Sequence, residues 1–309
     1  MLKIYKSTER GLERLDSITN GSWVQAIDPT PEEIQKLIGA GVESDYINYS
    51  LDVDEMARME RDDAYTFILL RIPIHRPEAD IPYSTVPLGI LILSNIIVTI
   101  CRHDSDIFRA LADGKYRLLK TGKRYRMALY IFLEAAVRYL TSLREINRTV
   151  EAIEDLLQRS TRNREVLELL KYQKCLTYFA TALRSNEVMM ERVQRVQIFS
   201  YYEEDQELLE DVLTENQQAI QMTNIATELL SNMMDAFASI ISNNLNGVMK
   251  VLAALTIIVS LPATVAAFFG MNVDLPISGA HPLSFVAIFG IAVAVTAITT
   301  LVFYKRDWF

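Results

Sequence analysis

The chain has 309 residues, half of them apolar, and 39 acidic against 31 basic side chains leave a net charge of −8. That balance excludes the extended basic face that nucleic-acid phosphates require, so nucleic acid is not an expected partner. The only cysteines, Cys101 and Cys175, lie far apart, in no metal-ligand spacing, and fit a reducing compartment with two ordinary buried thiols.

The first third of the chain is mixed in type. Residues 2–5 and 22–27 read as short strands, and Thr30-Pro31-Glu32-Glu33 then supplies a helix start: a capping hydroxyl, Pro at the first helical position and acids in the first turn. Stronger strand patterns follow at 64–74, 85–93 and 96–101, the last two joined by Ser94-Asn95 as a tight hairpin. Pro73, Pro82 and Pro87 are expected at edges or ends, because proline gives no donor to a ladder. Residues 1–122 therefore form an α/β or α+β module with a mostly antiparallel sheet. His75 and His103 have no ligand spacing and read as structural or exposed.

From Lys123 to Asn246 there are 124 residues without Gly or Pro, rich in Leu, Glu, Arg, Gln and Ala. Such a stretch should be nearly all helix. Polar breaks at 159–163 and 200–205 suggest helices near 123–158, 163–199 and from 205 onward, so residues 123–205 are expected to hold antiparallel helices. The acids Glu203-Glu204-Asp205 and Glu207 read as a solvated helix start favoured by the helix dipole. Apolar residues every fourth position, from Ile225 to Leu245, continue without a breaker into the next segment. One helix over residues 206–269 is expected, with Gly247 the place where a hinge could divide it.

Residues 251–269 are 19 positions without a charge, and 283–304 are 22. At about 1.5 Å per residue each covers the ~30 Å of bilayer hydrocarbon, so both are expected to span a membrane, with 270–282 as the connecting loop and 305–309 as a tail. Lys250, Lys305 and Arg306 flank the spans, whereas 270–282 has no Lys or Arg. The positive-inside tendency puts both termini in the cytoplasm and the loop outside. With three basic and two acidic residues in 246–309, the first 245 residues are net −9, which suits solubility or cation partners.

Stepping by three and four along the first span from Asn246 gives Met249, Ala253, Thr256, Ser260, Ala263, Ala267 and Gly270, small or weakly polar residues on one helical face. In a membrane such a face marks close helix packing or a water-filled path. Packing needs neither Asn246 at one end nor Asn272 at the other, which favours the path. Met249 and Leu252 at its inner mouth would then form an apolar constriction that gates by dewetting.

Asn246-Gly247-Val248-Met249-Lys250-Val251-Leu252 opening the first span, Gly270-Met271-Asn272 closing it, a second span, and the end Lys305-Arg306-Asp307-Trp308-Phe309 resemble the CorA family of magnesium and cobalt channels. The resemblance extends in architecture over the whole chain. It implies an α+β cytoplasmic domain with long helices, then two transmembrane α-helices, assembled as a homopentameric, funnel-like channel in the cell inner membrane and surrounded by lipid. It implies Gly270, Met271 and Asn272 as the selectivity filter, Mg2+ as substrate and regulatory ligand with Co2+ as another candidate ion, and no enzymatic activity. Asp211 and Asp235 match, by distance from Asn246, the family's acids that hold regulatory Mg2+ between subunits; Asp52, Asp54, Asp62 and Asp63 are candidate partners. Pro262 and Thr264 fall near a family Pro and pore-lining Thr, which leaves open whether Ala263 or Thr264 faces the pore. Asp274 retains one acid in the loop to attract cations. A Zn2+, Ni2+ or Co2+ transporter of the same fold, and a membrane-anchored metal sensor without conduction, are the alternatives.

Overall fold

Seven strands, β1 (Leu2–Thr8), β2 (Gly11–Leu15), β3 (Trp23–Ile27), β4 (Arg58–Arg61), β5 (Tyr65–His75), β6 (Tyr83–Leu93) and β7 (Ile97–Cys101), form one sheet in the order β2-β1-β3-β7-β6-β5-β4. The computed structural model describes residues 1–8, 11–116, 119–159, 163–199, 202–271, 283–306 and 308. Only β3 and β7 pair in parallel, and the other neighbours are antiparallel. Period-two alternation sends Val24, Ala26, Val98 and Ile100 to one face and Trp23, Ile27, Ile97 and Cys101 to the other, each with its own apolar core.

Helices α1 (Pro31–Gly39) and α2 (Ser44–Leu51) supply Leu37, Tyr46 and Ile47 to the first of these cores. The start of α1 is a full capping box: Thr30 Oγ1 accepts from the Glu33 N–H, and the Glu33 carboxylate accepts from Thr30 N–H and from Leu2 N–H at 2.7 Å. The approach of α2 is set by Gly89 on β6. A Cβ there would lie 1.7 Å from Ser50 Oγ, so no other residue fits beneath that helix without displacing it.

Prolines 73 and 87 sit in interior strands, against the simplest expectation for proline. The register supplies the reason. β4 pairs with β5 only over Thr66–Leu69, and β7 pairs with β6 only over Leu88–Ile92. Pro87 lies one position and Pro73 four positions beyond the pairing with the outer neighbour, where the ladder no longer asks for the missing N–H.

The other core takes α3 (Asp106–Ala112), α4 (Arg124–Arg159), α5 (Asn163–Arg195) and the beginning of α6 (Glu203–Phe269). Two units divide the chain, residues 1–232 and 233–309. α6 is a single helix of 67 residues that passes Gly247 and Pro262 without ending; α7 (Leu283–Lys305) completes the second unit. One sequence expectation is corrected here. Asp205 is buried and bonds the buried Arg126 of α4, which also meets Glu204 at 2.5 Å, so the acidic start of α6 is clamped to α4 rather than merely solvated.

Candidate ion path

Among the described residues, α6 and α7 contain the two stretches apolar and long enough to cross a membrane, with mean hydropathies of 2.3 and 2.5. Almost nothing in those windows is buried within the chain. Leu252, Leu255, Val259, Phe285, Phe289 and Leu301 all stand more than half exposed. Water would penalise that surface at about 25 cal/mol per Å2, whereas hydrocarbon accepts it.

What burial exists is periodic. Within residues 251–269 of α6 the covered or half-covered positions are Ala254, Ile258, Leu261, Val265 and Phe269; on α7 they are Ser284, Ile288, Ala292, Thr296, Thr299 and Phe303. Steps of three and four define one stripe per helix. Pro262, Val265 and Ala266 of α6 line a common groove with Phe285, Ile288 and Ala292 of α7, so the two stripes mark where the antiparallel helices meet.

Asn246, Met249, Ala253, Thr256, Ser260, Ala263, Thr264 and Ala267 are all exposed. At about 100° per residue, the centre of this small, polar stripe lies roughly opposite the stripe that faces α7. Met249 and Leu252 are each 54% exposed and lie at the Lys250 end of the apolar stretch of α6. The hydroxyls have a shared orientation: Thr256 donates to Leu252 O at 2.8 Å, Ser260 to Ile257 O at 2.9 Å and Thr264 to Ser260 O at 2.9 Å. A hydroxyl that spends its proton on its own helix keeps lone pairs to accept from something else.

At the far end, Gly270 donates to Ala266 O at 3.0 Å. Its φ is not in the left-handed region, so a special backbone angle is not what glycine supplies here. A Cβ would sit 3.3 Å from the Ala266 carbonyl, a tight contact at the helix end. Met271 follows and is 53% exposed. Asn272 and Asp274 lie outside the described residues.

Asp211 and Asp235 are both exposed on α6, the first in unit 1–232 and the second in 233–309, and they are not brought together. Among the described residues no three His, Cys, Asp or Glu side chains converge as a metal-ligand set. Asp52, Asp54, Asp62 and Asp63 are exposed and partly engaged in their own turns: Asp52 accepts from Asp54 N–H at 3.1 Å, and Asp62 accepts from Asp63 N–H at 2.6 Å. Sequence reasoning missed the Arg126 clamp, whose partners are 79 positions apart. Acids in a first turn carry no local sign of a distant guanidinium.

Comparison with known proteins gives a consistent picture. A family model described as "CorA-like Mg2+ transporter protein" matches residues 20–306. The cobalt/magnesium transport protein CorA of Methanocaldococcus jannaschii is 30% identical over 300 residues, covering 93% of this chain and 90% of that one. The complete structure of the CorA magnesium transporter from the same organism superposes with a TM-score of 0.86 at 25% identity, over 100% of this chain and 99% of that one. The cytoplasmic domain of ZntB from Vibrio parahaemolyticus, 12% identical, shares the fold over 79% of this chain and 97% of that one with a TM-score of 0.59.

Proposed function

The chain belongs to the CorA-like Mg2+ transporter family, and from that premise we propose that it is a channel passing hydrated Mg2+, with Co2+ as a second permeant ion, into the cell. Membership makes it a membrane transporter of divalent cations and not an enzyme. The finer reading adds five copies around one path, α6 innermost and α7 against lipid, in the inner membrane with both termini in the cytoplasm.

The observation that carries this reading is the exposed stripe from Asn246 to Ala267 opposite the α7-facing side of α6. Mg2+ sheds its waters reluctantly, so a path for it must accept hydrogen bonds from a hydrated ion without stripping it. The hydroxyl oxygens of Thr256, Ser260 and Thr264 suit that demand, because their protons are already donated to the helix. Asn272 would present its amide oxygen at the outer mouth and Asp274 would raise the local cation concentration. Met249 and Leu252 would close the inner end by dewetting. The stripe has no His or Cys, the ligands that Zn2+ and Ni2+ would prefer.

Asp211 and Asp235 are proposed as the regulatory acids. Facing a neighbour's carboxylates they would repel unless Mg2+ sat between, so internal Mg2+ would favour the closed assembly. The test of conduction is Asn272→Ala in proteoliposomes. Mg2+ influx should be lost while assembly is retained; undiminished influx would remove Asn272 from the filter. A wild-type protein that carries no divalent flux, yet changes on metal binding, would make it a membrane-anchored sensor.

A further inference from the structure

The parallel pair β3 and β7 sits at a topological switch point. β3 leads into α1, which packs on one face of the sheet, and β7 leads into α3, which packs on the other. In open parallel sheets the crevice beyond the carboxyl ends of such strands is where ligands bind; here one pair is parallel, and the cavity lies beside it, past the end of β7. β5 runs in the same direction as β7, since both are antiparallel to β6. The ends of β5 and β7, with α4 behind them, enclose a cavity of about 340 Å3 lined by His75, Arg76, His103, Asp104, Arg109 and Arg138, among others. That volume is within the range of small-molecule sites, roughly 300–1,000 Å3.

The charges around it are unevenly spent. Arg109 and Arg138 are paired with Asp106, and Arg138 also holds the buried Glu134. Among the described residues the Arg76 guanidinium has one hydrogen bond, to Ser84 Oγ at 3.3 Å. The His103 pKa is lowered, first by burial and then by the charges of Arg76 and Arg102, so its ring is neutral near pH 7 and offers an N–H donor rather than a charge. Next to these groups the His75 ring lies flat on Tyr83, centroids 4.4 Å apart and planes within 8°, and the residue is exposed. Asp104 and Glu145 are exposed carboxylates on the cavity wall. The Arg76 guanidinium with the His103 N–H beside it, a stacked aromatic platform and carboxylate acceptors in one cavity match the three parts of a nucleotide: phosphate, base and ribose hydroxyls.

We propose that this cavity binds a mononucleotide, its phosphate at Arg76 and His103, its base on His75 and its ribose toward Asp104 and Glu145. The site is within residues 1–232 and does not depend on the transport reading. Calorimetric titration of the full-length protein in detergent with AMP, adenosine and inorganic phosphate tests it. AMP should bind, and bind more tightly than either of its parts. Arg76→Gln should weaken AMP about tenfold or more, the loss expected for a charge-assisted contact, and His75→Ala should weaken AMP while leaving inorganic phosphate unchanged. Both replaced side chains are exposed, so both variants should fold. No AMP binding at millimolar concentration, equal affinity for AMP and inorganic phosphate, or undiminished AMP binding by Arg76→Gln would each overturn the proposal. Divalent flux measured beside these titrations separates the two readings, because a conducting protein that ignores AMP refutes only this one.

Discussion

At position 89 the absence of a methyl group decides how closely a helix can lie on the sheet. The Cβ of an alanine would meet Ser50 Oγ at 1.7 Å and Ser50 Cβ at 2.7 Å, both in a buried layer. Gly89→Ala should therefore destabilise the protein by roughly 1–3 kcal/mol, the usual cost of overpacking. Ser50→Gly in the same chain should recover part of that loss, since it removes both clashing atoms. Denaturant unfolding of the two variants checks the pair; an unshifted midpoint for Gly89→Ala would mean that α2 does not sit on β6 as described. The two cysteines also belong at this scale. Both are free and buried, as their sequence context suggested, and burial pushes the Cys101 thiol up to about 12.

Between α4 and α6 a single guanidinium does what no local pattern announces. Arg126 is 5% exposed at its side chain, Asp205 8% and Glu204 70%, so one partner is internal and the other is on the surface. Removing the internal one leaves a buried cation only partly compensated. Asp205→Ala should cost about 3 kcal/mol, the low end for breaking a buried pair, since Glu204 still reaches the guanidinium. Glu204→Ala should cost less than about 1 kcal/mol, as an exposed ion pair does. Thermal unfolding of both variants would separate the cases, and equal losses would refute the assignment of Asp205 as the internal anchor. The contrast also shows what was legible. Long helices could be read from the absence of Gly and Pro over 123–246, and both spans from their charge-free length, because these signals are local and repeated. β2, β4, α2 and α3 were not read: they have four to eight residues each, with charges such as Glu13, Arg14, Arg58 and Glu60 interrupting any periodicity. Their place comes from neighbours along the sheet. The small-residue stripe was legible for the same reason as the spans, while the Arg126 clamp depends on a contact 79 positions away.

For the molecule as a whole, the exposed stripe on α6 bears on how many copies assemble. In a monomer Thr256, Ser260 and Thr264 would face acyl chains with their own helix carbonyls as sole partners, so a water-filled path along the stripe needs further copies of the chain. The proposed closed ring would bring the same face of each copy to a common axis, supplying water to the hydroxyls and leaving α7 to lipid. Five copies in a detergent mass measurement are the expected outcome, and a monomer or dimer would undo the shared path. The same ring is what would give exposed acids something to sense. Among the described residues no three His, Cys, Asp or Glu side chains of one chain form a metal-ligand set, which suits the proposal that regulatory Mg2+ is held between copies. Combining Asp211→Ala with Asp235→Ala should leave the pentamer assembled and conducting but insensitive to millimolar internal Mg2+, measured as flux at graded internal concentrations. Loss of assembly would instead assign the two acids to the subunit contact itself, and unchanged inhibition would place the sensor on other residues.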